Sequence, residues 1–367
     1  MPKICHMTSA HSARDVRIFH KMCVSLAHAG YDTYLVAPGE SFTEKGVQVV
    51  GAGDKPVSRL KRMTGMAKKV YQKALEIDAD IYHFHDPELL PYGLKLKRKG
   101  KIAIFDSHED CVAQIAEKTW IPSLIRIPLK WIFEQYQKHI CKNISGVISV
   151  SPHICKRFED MNVPVAMICN FPDVPSQYLP PKLDGKTLVF AGGISKQWSH
   201  SLILDAMERV PNARYVLCGK GHDGYLEPLT HKPAWSRVDY RGMIPFAAVP
   251  AALAEGHAGM SVLQYSGNMG GKTGTLGNTK IFEYMLAGLP IVCTDFTLWQ
   301  EIMDEYHFGI CVDPTNTEEI AAAVRYLMDN PAEARQMGEN GRKAVLEKYN
   351  WNAEEAKLLS LYQSLCE

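Results

Sequence analysis

Short apolar runs rich in β-forming residues alternate with segments of helical periodicity along the whole 367-residue chain. This alternation is typical of parallel sheets covered by helices, which is an α/β fold. Residues 15–29 illustrate the helical pattern, because Ile18, Met22 and Leu26 recur at helical spacing before Gly30. Strands are predicted near residues 3–8, 32–37, 47–50, 80–84, 102–106, 146–150 and 165–169, and again near 187–191, 213–218, 237–240, 259–263, 290–293 and 309–312.

The length of the chain predicts more than one domain, since 367 residues exceed what one hydrophobic core usually organises. The composition changes at residues 171–186, where a cluster of prolines rules out a helix or a central strand and predicts a linker. We therefore expect one Rossmann-like, doubly wound sheet in residues 1–170 and another in residues 187–350. Two such domains place their ligand crevices at the carboxyl ends of their strands, facing a central cleft.

Cysteine usage and the amino terminus indicate the cellular compartment. The ten cysteines occur singly, with no Cys-x-x-Cys pair, as expected for small buried side chains in a reducing environment. The chain begins directly with a predicted strand, which leaves no room for a signal peptide, and no apolar run reaches the roughly 18 residues of a membrane span. We expect a cytoplasmic protein that is at most peripheral to the inner face of the cell membrane, with no nucleic acid partner.

The charge is unevenly distributed along the chain. Residues 1–170 contain 24 Lys and Arg against 17 Asp and Glu, whereas the whole chain has a formal net charge of +1. The basic half is consistent with attraction to an anionic surface or to a polyphosphate. An ordinary scatter of solvated lysines explains the same numbers equally well.

Residues 118–133 combine aromatic and aliphatic bulk with three cations and contain no acidic residue. Such a segment could lie in a membrane interface, where Trp and Lys side chains anchor a peripheral helix. The alternative is a core helix that packs on the sheet and has a basic edge.

Residues 278–290 read as a loop that turns into a short helix before a buried strand. Thr279 or Asn278 is expected to be the N-cap, Glu283 lies in the first turn, and Gly288 ends the helix. A helix that begins at the carboxyl end of a parallel strand directs its unpaired N–H groups toward that edge of the sheet. The segment therefore predicts a phosphate site.

Two polar clusters follow neighbouring predicted strands. His83, His85 and Asp86 end the strand near residue 84, and the sequence Asp-Ser-His-Glu-Asp occupies residues 106–110. Strand alternation puts His83 and His85 on one side of the sheet, and Asp86 is predicted to cap the helix that follows. The two clusters together favour a functional site. Taken singly, Asp86 and Asp106 have the alternative of only capping helices.

Two other enzyme classes fit the sequence less well. A zinc or manganese site could use the paired histidines with nearby carboxylates, but no His-x-x-x-His pair occurs on a predicted helix there. A dinucleotide-dependent dehydrogenase would show Gly-x-Gly-x-x-Gly between the first strand and the first helix, and residues 8–19 lack it.

The motifs at residues 83–87, 106–109 and 278–290 resemble those of retaining glycosyltransferase family 4, which has the GT-B fold and includes bacterial enzymes of polysaccharide and lipopolysaccharide synthesis. The resemblance implies sugar transfer, with retention, from a UDP- or GDP-type nucleotide sugar to a saccharide or lipid-linked acceptor. It implies no metal ion or other cofactor. The final helix, residues 351–367, is expected to pack back on the first domain.

The resemblance also implies the residues of the site. In the family, the diphosphate lies on the helix near Thr279, Glu283 holds the ribose, and His85 lies near the transferred sugar. The expected catalytic residues are His85, Asp86, Lys196 and Glu283. The expected donor-binding residues are Gly192, Gly193, Ser195, Lys220, Gly221, Gly242, Thr275, Asn278, Thr279 and Lys280. The expected acceptor-side residues are Asp15, Arg17, His108 and Glu109.

The chain departs from the family pattern at three positions. Gly193 stands where the family has an Arg, Trp198 where it has a Lys, and Thr275 where it often has the first of two Glu residues. Lys196 is the nearest replacement cation, and the Gly-rich residues 266–277 are expected to close over the sugar. Two alternatives stay open: a nucleotide-sugar epimerase of the same architecture, and a catalytically weak partner subunit.

Overall fold

The structure is a computed structural model that describes residues 1–117, 121–159, 161–222 and 224–366. Lys118, Thr119 and Trp120 of the predicted membrane-interface segment lie outside the described residues, as does Glu367 of the predicted final helix. The chain forms two compact units, one of Met1–Asn170 with Trp351–Glu367 and one of Phe171–Asn350. No helix in the described ranges is both long and apolar enough to cross a bilayer.

The first unit is built on an eight-stranded sheet. Its strands are β1 (Lys3–Met7), β2 (Asp32–Ala37), β3 (Phe42–Glu44), β4 (Val47–Gly51), β5 (Ile81–Phe84), β6 (Ile102–Ser107), β7 (Gly146–Ser149) and β8 (Val165–Met167). Their order is β3-β4-β2-β1-β5-β6-β7-β8. All neighbours are parallel except β3 and β4, which form an antiparallel hairpin at the edge. The hairpin strand β3 was not predicted from the sequence.

Helices cover this sheet. They are α1 (Val24–His28), α2 (Arg59–Lys61), α3 (Ala67–Ile77), α4 (Leu90–Arg98), α5 (Cys111–Glu117), α6 (Ser123–Cys141) and α7 (Pro152–Glu159), with π-helical segments Val16–Cys23 and Arg62–Met66 and a 3₁₀ turn Pro87–Leu89. The predicted helix at residues 15–29 is thus π-helical in its first part. Asp15 caps it, because its Oδ1 accepts hydrogen bonds from the amides of Arg17 at 2.9 Å and Ile18 at 3.0 Å.

The last helix of the chain, α15 (Trp351–Cys366), belongs to the first unit. Its Leu358, Leu361 and Tyr362 side chains pack with isoleucines of β1 and β5 in one buried cluster. Glu354 is almost fully buried, and it accepts a hydrogen bond from the amide of Cys169 at 2.7 Å. The end of the chain is therefore part of the core of the first unit.

The second unit contains a six-stranded, fully parallel sheet of order β11-β10-β9-β12-β13-β14. The strands are β9 (Thr187–Ala191), β10 (Arg214–Cys218), β11 (Val238–Gly242), β12 (Ala258–Ser261), β13 (Ile291–Thr294) and β14 (Gly309–Val312). The helices are α8 (His200–Glu208), α9 (Leu226–Thr230), α10 (Val249–Ala254), α11 (Lys280–Leu286), α12 (Thr297–Tyr306), α13 (Thr317–Asp329) and α14 (Pro331–Glu347), with 3₁₀ turns Lys196–Trp198, Pro233–Arg237, Phe246–Ala248 and Gly267–Met269.

Strand order locates a crevice in each unit. In the first sheet the order reverses between β1 and β5, and in the second between β9 and β12. Ligands of open α/β sheets bind beyond the carboxyl ends of strands at such reversals. Thr8 follows β1 and His85 follows β5, whereas Gly192 follows β9. The topology therefore brings several predicted site residues to the switch point of their own sheet.

Candidate active site

A buried carboxylate organises the site of the first unit. Asp106, in β6, accepts hydrogen bonds from Arg17 Nε at 2.8 Å and from the Arg17 terminal nitrogen at 3.0 Å. His85 Nδ1 lies 3.0 Å and His108 Nδ1 3.6 Å from the same carboxylate. Burial opposes its ionisation, but the charges of Arg17 and His108 hold the pKa of Asp106 well below its usual range. Arg17 thus pairs with Asp106 and not with Asp15 at the helix start.

A chain of buried imidazoles extends from Asp106. His85 Nε2 lies 2.9 Å from His6 Nδ1, His6 Nε2 lies 3.2 Å from the Tyr362 hydroxyl, and that hydroxyl lies 2.8 Å from His83 Nδ1. Burial lowers the pKa of His85 and lowers those of His6 and His83 well below the usual histidine value. All three imidazoles are therefore neutral near pH 7, and each carries a single N–H.

The ionised carboxylate fixes the position of every proton in this chain. Asp106 only accepts, so His85 donates from Nδ1, and its Nε2 must accept from His6 Nδ1. His6 Nε2 then accepts from the Tyr362 hydroxyl, whose oxygen accepts from His83 Nδ1. His83 Nε2, at the far end, has no hydrogen-bond partner among the described residues. Four hydrogen bonds thus point toward one negative charge.

His85, a predicted catalytic residue, is enclosed by this network. Both of its ring nitrogens are engaged, and its side chain has no exposed surface. The solvent-facing edge of the cluster consists of His108 and His11, whose side chains are 14% and 27% exposed and whose ring centroids are 5.0 Å apart. His11 was not predicted. Its place in the loop after β1 is the only sequence signal that could have indicated it.

Asp86, the other predicted catalytic residue of this unit, occupies the N-cap position of the 3₁₀ turn Pro87–Leu89, as predicted, but its side chain does not cap that turn. Its Oδ2 accepts from the amides of Ser9 at 2.6 Å and Ala10 at 3.2 Å and from the Thr8 hydroxyl at 2.8 Å. It makes no side-chain hydrogen bond to the 3₁₀ turn that it precedes. The side-chain capping bond is absent because the buried carboxylate accepts instead from amides of the loop after β1. Asp86 therefore shapes that loop.

The remaining acceptor-side predictions lie near this cluster. His11 Nδ1 and Nε2 are 3.6 Å from Asp15 and 3.5 Å from Asp86, respectively. Burial opposes protonation of His11, but the two carboxylates raise its pKa above the usual value. Glu109 is exposed and accepts from Gln114 Nε2 at 2.8 Å. The polar edge thus contains an imidazole whose protonation two carboxylates favour and an exposed acid that accepts from a neighbouring amide side chain.

A glycine turn forms the corresponding edge of the second unit. Gly192 donates its amide to the Cys218 carbonyl at 2.9 Å, and Ile194 donates to the Lys220 carbonyl at 2.9 Å. Gly219 has φ +147°, and a Cβ there would overlap the carbonyl oxygen of Gly192. The turns after β9 and β10 are therefore close enough to exclude side chains.

Lys280 lies across this turn. Its aliphatic end fills the space that a Cβ on Gly192 would need, and its Nζ is 3.3 Å from Glu283 Oε2. Lys196 and Lys220 are exposed, and neither has a side-chain partner in the part of the chain that the structure describes. The structure thus brings Lys280, rather than Lys196, against the first glycine of the turn.

Thr279 and Asn278, the two expected caps of α11, have different roles: Thr279 occupies the N-cap position without a side-chain capping bond. Asn278 Oδ1 accepts from the Lys280 amide at 3.1 Å, whereas the Thr279 hydroxyl donates to Glu283 Oε1 at 2.7 Å. Asn278 therefore satisfies an amide of the first turn, and Thr279 orients Glu283. Both carboxylate oxygens of Glu283 are held, one by a hydroxyl and one by an ammonium group.

The Gly-rich segment 266–277 is tied to α12. The amides of Thr297 and Leu298 each donate at 3.0 Å to carbonyls of this segment, and Trp299 Nε1 donates to the Thr275 carbonyl at 3.0 Å. The Thr275 hydroxyl accepts from the Gly277 amide at 3.0 Å. Thr275 is thus a buried turn residue in this structure.

The other predicted donor residues occupy the same two turns. Ser195 precedes the 3₁₀ turn, and its carbonyl accepts from the Trp198 amide at 3.1 Å. The Trp198 ring packs on Phe190 with centroids 5.0 Å apart, which explains an apolar residue there. A Cβ on Gly193 would lie 3.0 Å from His222 Nε2, and Gly221 pairs with Ile194 in an isolated bridge. Gly242 accepts from the Gly219 amide at 2.7 Å.

Two groups of side chains within the described residues are close enough to hold one metal ion. They are His6 with His83 and His85, and His85 with Asp106 and His108. The directed hydrogen bonds described above already engage both ring nitrogens of His6 and of His85, and an ion in the first group would compete with the bond between these two imidazoles.

Residues 16–174 match the protein family described as Glycosyltransferase Family 4, and residues 196–360 match the family described as Glycosyl transferase-like. The phosphatidyl-myo-inositol mannosyltransferase of Mycobacterium leprae (strain TN) is 21% identical over 92% of this chain and 89% of its own length. The MMP alpha-(1->4)-mannosyltransferase of Mycolicibacterium hassiacum is 31% identical over 22% of this chain and 20% of its own length.

Solved structures with similar folds cover the whole chain. Sucrose-phosphate synthase from Thermosynechococcus elongatus superposes with a TM-score of 0.80 at 17% identity, covering 100% of this chain and 99% of that one. HepE of Anabaena in complex with UDP and glucose superposes with a TM-score of 0.73 at 14% identity, covering 99% and 100%. At these identities the likeness establishes the fold and does not by itself identify the reaction.

Proposed function

Because the chain belongs to the glycosyltransferases of the family 4 type, with the GT-B fold, we propose that it moves a sugar from a nucleotide-diphosphate sugar to a saccharide or lipid-linked saccharide. The proposed transfer retains the anomeric configuration and uses no metal ion. The observation that carries the donor half of this proposal is the position of Lys280 across the Gly192 turn, at the switch point of the second sheet.

The lysines of the second unit suit a diphosphate leaving group. As the bond between sugar and phosphate breaks, negative charge develops on the diphosphate, and fixed cations and backbone amides stabilise it. Lys280 supplies the cation nearest the glycine turn. It thereby provides the positive charge that the family obtains from an Arg at the position of Gly193. The exposed Lys196 and Lys220 flank the same two turns and add positive charge.

Glu283 has a role that changes with ligand binding. In this structure its Oε2 lies near Lys280 and its Oε1 accepts from Thr279. A bound diphosphate would draw the Lys280 ammonium toward its own oxygens, because two negative phosphates attract the cation more strongly than one carboxylate. The released Glu283 oxygen would then accept a hydrogen bond from a ribose hydroxyl.

The first unit contributes orientation and polar contact. Since both nitrogens of His85 are engaged, His85 acts as a positioning residue that holds Asp106 and its neighbours in place. His108 and His11, at the exposed edge, are the groups that reach the transferred sugar or the acceptor hydroxyl. Asp86 keeps the His11 loop in shape through three hydrogen bonds.

Related proteins support the ligand classes. HepE of Anabaena has been solved with UDP-glucose, which favours a UDP-type donor, and GDP-type donors stay in the test panel. Two relatives are named for mannosyl transfer to phosphatidyl-myo-inositol, which favours a lipid-linked acceptor. With such an acceptor, we propose that the protein works at the inner face of the cell membrane, as a peripheral protein.

The test is an incubation of the purified protein with a panel of UDP and GDP sugars. We expect free nucleotide diphosphate to appear only when a saccharide or lipid-linked acceptor is added. A donor present at a hundredfold its dissociation constant should also stabilise the chain by about 2.7 kcal/mol in a thermal-shift assay. Sugar isomerisation without nucleotide release would instead identify an epimerase.

The departures at Gly193, Trp198 and Thr275 favour one further candidate, a catalytically weak partner subunit. Absence of a thermal shift with every nucleotide sugar in the panel would support it over the transferase. A shift without turnover would point to a donor-binding protein that needs a partner for catalysis.

A further inference from the structure

The first half of α6 carries its apolar side chains on its solvent face. Leu124 is 91% exposed, Ile127 77% and Trp131 62%, and Ile125, Leu129 and Ile132 are also exposed. Burial begins only in the second half of the helix, at Gln137, Ile140 and Cys141. The core-helix alternative is therefore wrong for this first half, because a core helix would bury these side chains.

The arrangement inverts the usual amphipathic pattern. At about 100° per residue, the exposed apolar side chains span an arc of about 200°, from Ile127 through Leu124 to Leu129. The opposite arc, which faces the unit, contains Arg126, Lys130 and the buried Gln137. A water-facing apolar arc of this width is costly unless another phase or molecule covers it.

The width of the apolar arc and the charge of the first unit indicate what covers the exposed side chains of α6. A protein groove usually covers one stripe of a helix, whereas lipid can contact both flanks of a helix that lies in a bilayer interface. Residues 1–170, which include α6, contain 24 Lys and Arg against 17 Asp and Glu, and this excess of cations favours an anionic surface. Trp131 adds a side chain that favours the headgroup level.

We propose that the exposed apolar face of α6, residues 124–132, inserts into the interface of an anionic lipid bilayer. The inference deepens the proposed function and rests on it for the lipid-linked acceptor, because that acceptor would lie in the same membrane. The contact itself needs neither donor nor acceptor. Vesicle binding and sugar transfer can therefore fail separately.

The test is flotation of the full chain with vesicles of phosphatidylcholine, with and without phosphatidylglycerol. We expect binding that is stronger with phosphatidylglycerol and weakened by salt. The variant Leu124→Ser/Ile127→Ser/Trp131→Ser should lower the partition coefficient by about tenfold or more, because three exposed apolar side chains no longer enter the lipid. Its thermal unfolding should match the wild type, since these side chains are solvated in the absence of lipid.

A further variant is the control for the triple serine variant. Phe246→Ser removes an aromatic side chain that is 76% exposed on the second unit, and vesicle binding should not change.

The inference is overturned if the wild type does not float with either vesicle, or if the triple serine variant floats equally well. It is also overturned if light scattering shows a lipid-free dimer that the triple variant converts to monomer. A second copy of the chain would then be the occupant of the apolar face.

Discussion

The polar clusters of the two units differ in how their charges are held. In the first unit, Asp106 and Arg17 are buried and paired with each other, and the imidazoles behind them are enclosed. In the second unit, Lys196 and Lys220 face solvent, and Lys280 pairs with a partly exposed Glu283. The first arrangement is part of the fold, whereas the second is available to a ligand. Substitutions of the buried charges in the first unit should therefore lower the stability of the fold. Substitutions of the lysines in the second unit should weaken ligand binding.

The largest expected effect is that of Asp106→Asn. The substitution leaves the Arg17 guanidinium buried without a counter-charge, and breaking one partner of a buried ion pair costs about 3–5 kcal/mol. Urea unfolding measures the loss. Glu44→Gln is a matched control, because Glu44 also accepts two hydrogen bonds from one arginine, Arg14, but in an exposed position. The control should lose less than about 1 kcal/mol, and equal losses would contradict the comparison.

Mild acid should destabilise the first unit more than the second. Burial lowers the pKa values of His6, His83 and His85 below 6.5, so below that pH the unfolded chain binds protons that the folded chain excludes. Each such group costs about 1.4 kcal/mol per pH unit, or up to about 4 kcal/mol for the three at pH 5.5. In the second unit, burial lowers the pKa of His200 to about 3, which predicts a smaller loss from one group.

Hydrogen exchange, corrected for intrinsic rates, measures this difference in acid destabilisation. The protection of amides in β1 and β5 is compared with that of amides in β9 and β10. His11 offsets part of the loss, because its pKa is raised and it favours the folded state in acid. Equal acid sensitivity of the two units would show that the imidazoles of the first unit are not held neutral.

Lys280→Gln should weaken nucleotide-sugar binding by about tenfold to a hundredfold, as expected for the loss of a charge-assisted hydrogen bond to phosphate. Calorimetric titration with the nucleotide sugar identified in the panel measures this loss of affinity. Lys186→Gln is the control, because exposed Lys186 precedes the amino end of β9, whereas Gly192 follows its carboxyl end. Unchanged affinity in Lys280→Gln would place the diphosphate elsewhere.

The smallest expected effect is that of Tyr362→Phe, which removes the hydroxyl between His83 and His6. Leaving the His83 N–H unpaired should cost about 1–2 kcal/mol. Nitrogen-15 NMR of the imidazoles tests the proton order directly. In the wild type, His6, His83 and His85 should all carry their proton on Nδ1. A proton on Nε2 of His85 would disprove the directed chain.

Local patterns in the sequence predicted the elements of the fold better than the contacts of the site. Buried runs such as residues 187–191 have enough apolar β-formers to identify a strand, and the structure has β9 there. Strand β3 was missed because its three residues are not buried and lie at an edge. Lys280 and Glu283 were predicted as site residues because they share one short helix motif.

Long-range contacts account for what the sequence could not indicate. His6 stands opposite His83 in the register of β1 and β5, a relation visible only once the strand order is known. Asp86 was predicted to act on the turn that follows it, but the donors it meets are about 77 residues earlier in the chain. The spacing of residues along a sequence does not predict such long-range contacts.

The position of α15 has a consequence for biosynthesis. During synthesis His6 emerges from the ribosome long before Tyr362, which follows 356 residues later. Until then, the cluster that β1 and β5 form with Leu358 and Tyr362 lacks one wall. The second unit, by contrast, is complete once residue 350 has left the exit tunnel. The first unit is therefore synthesised first but completed last. Loss of the last residues of the chain would leave the core of the first unit incomplete and the second unit unaffected.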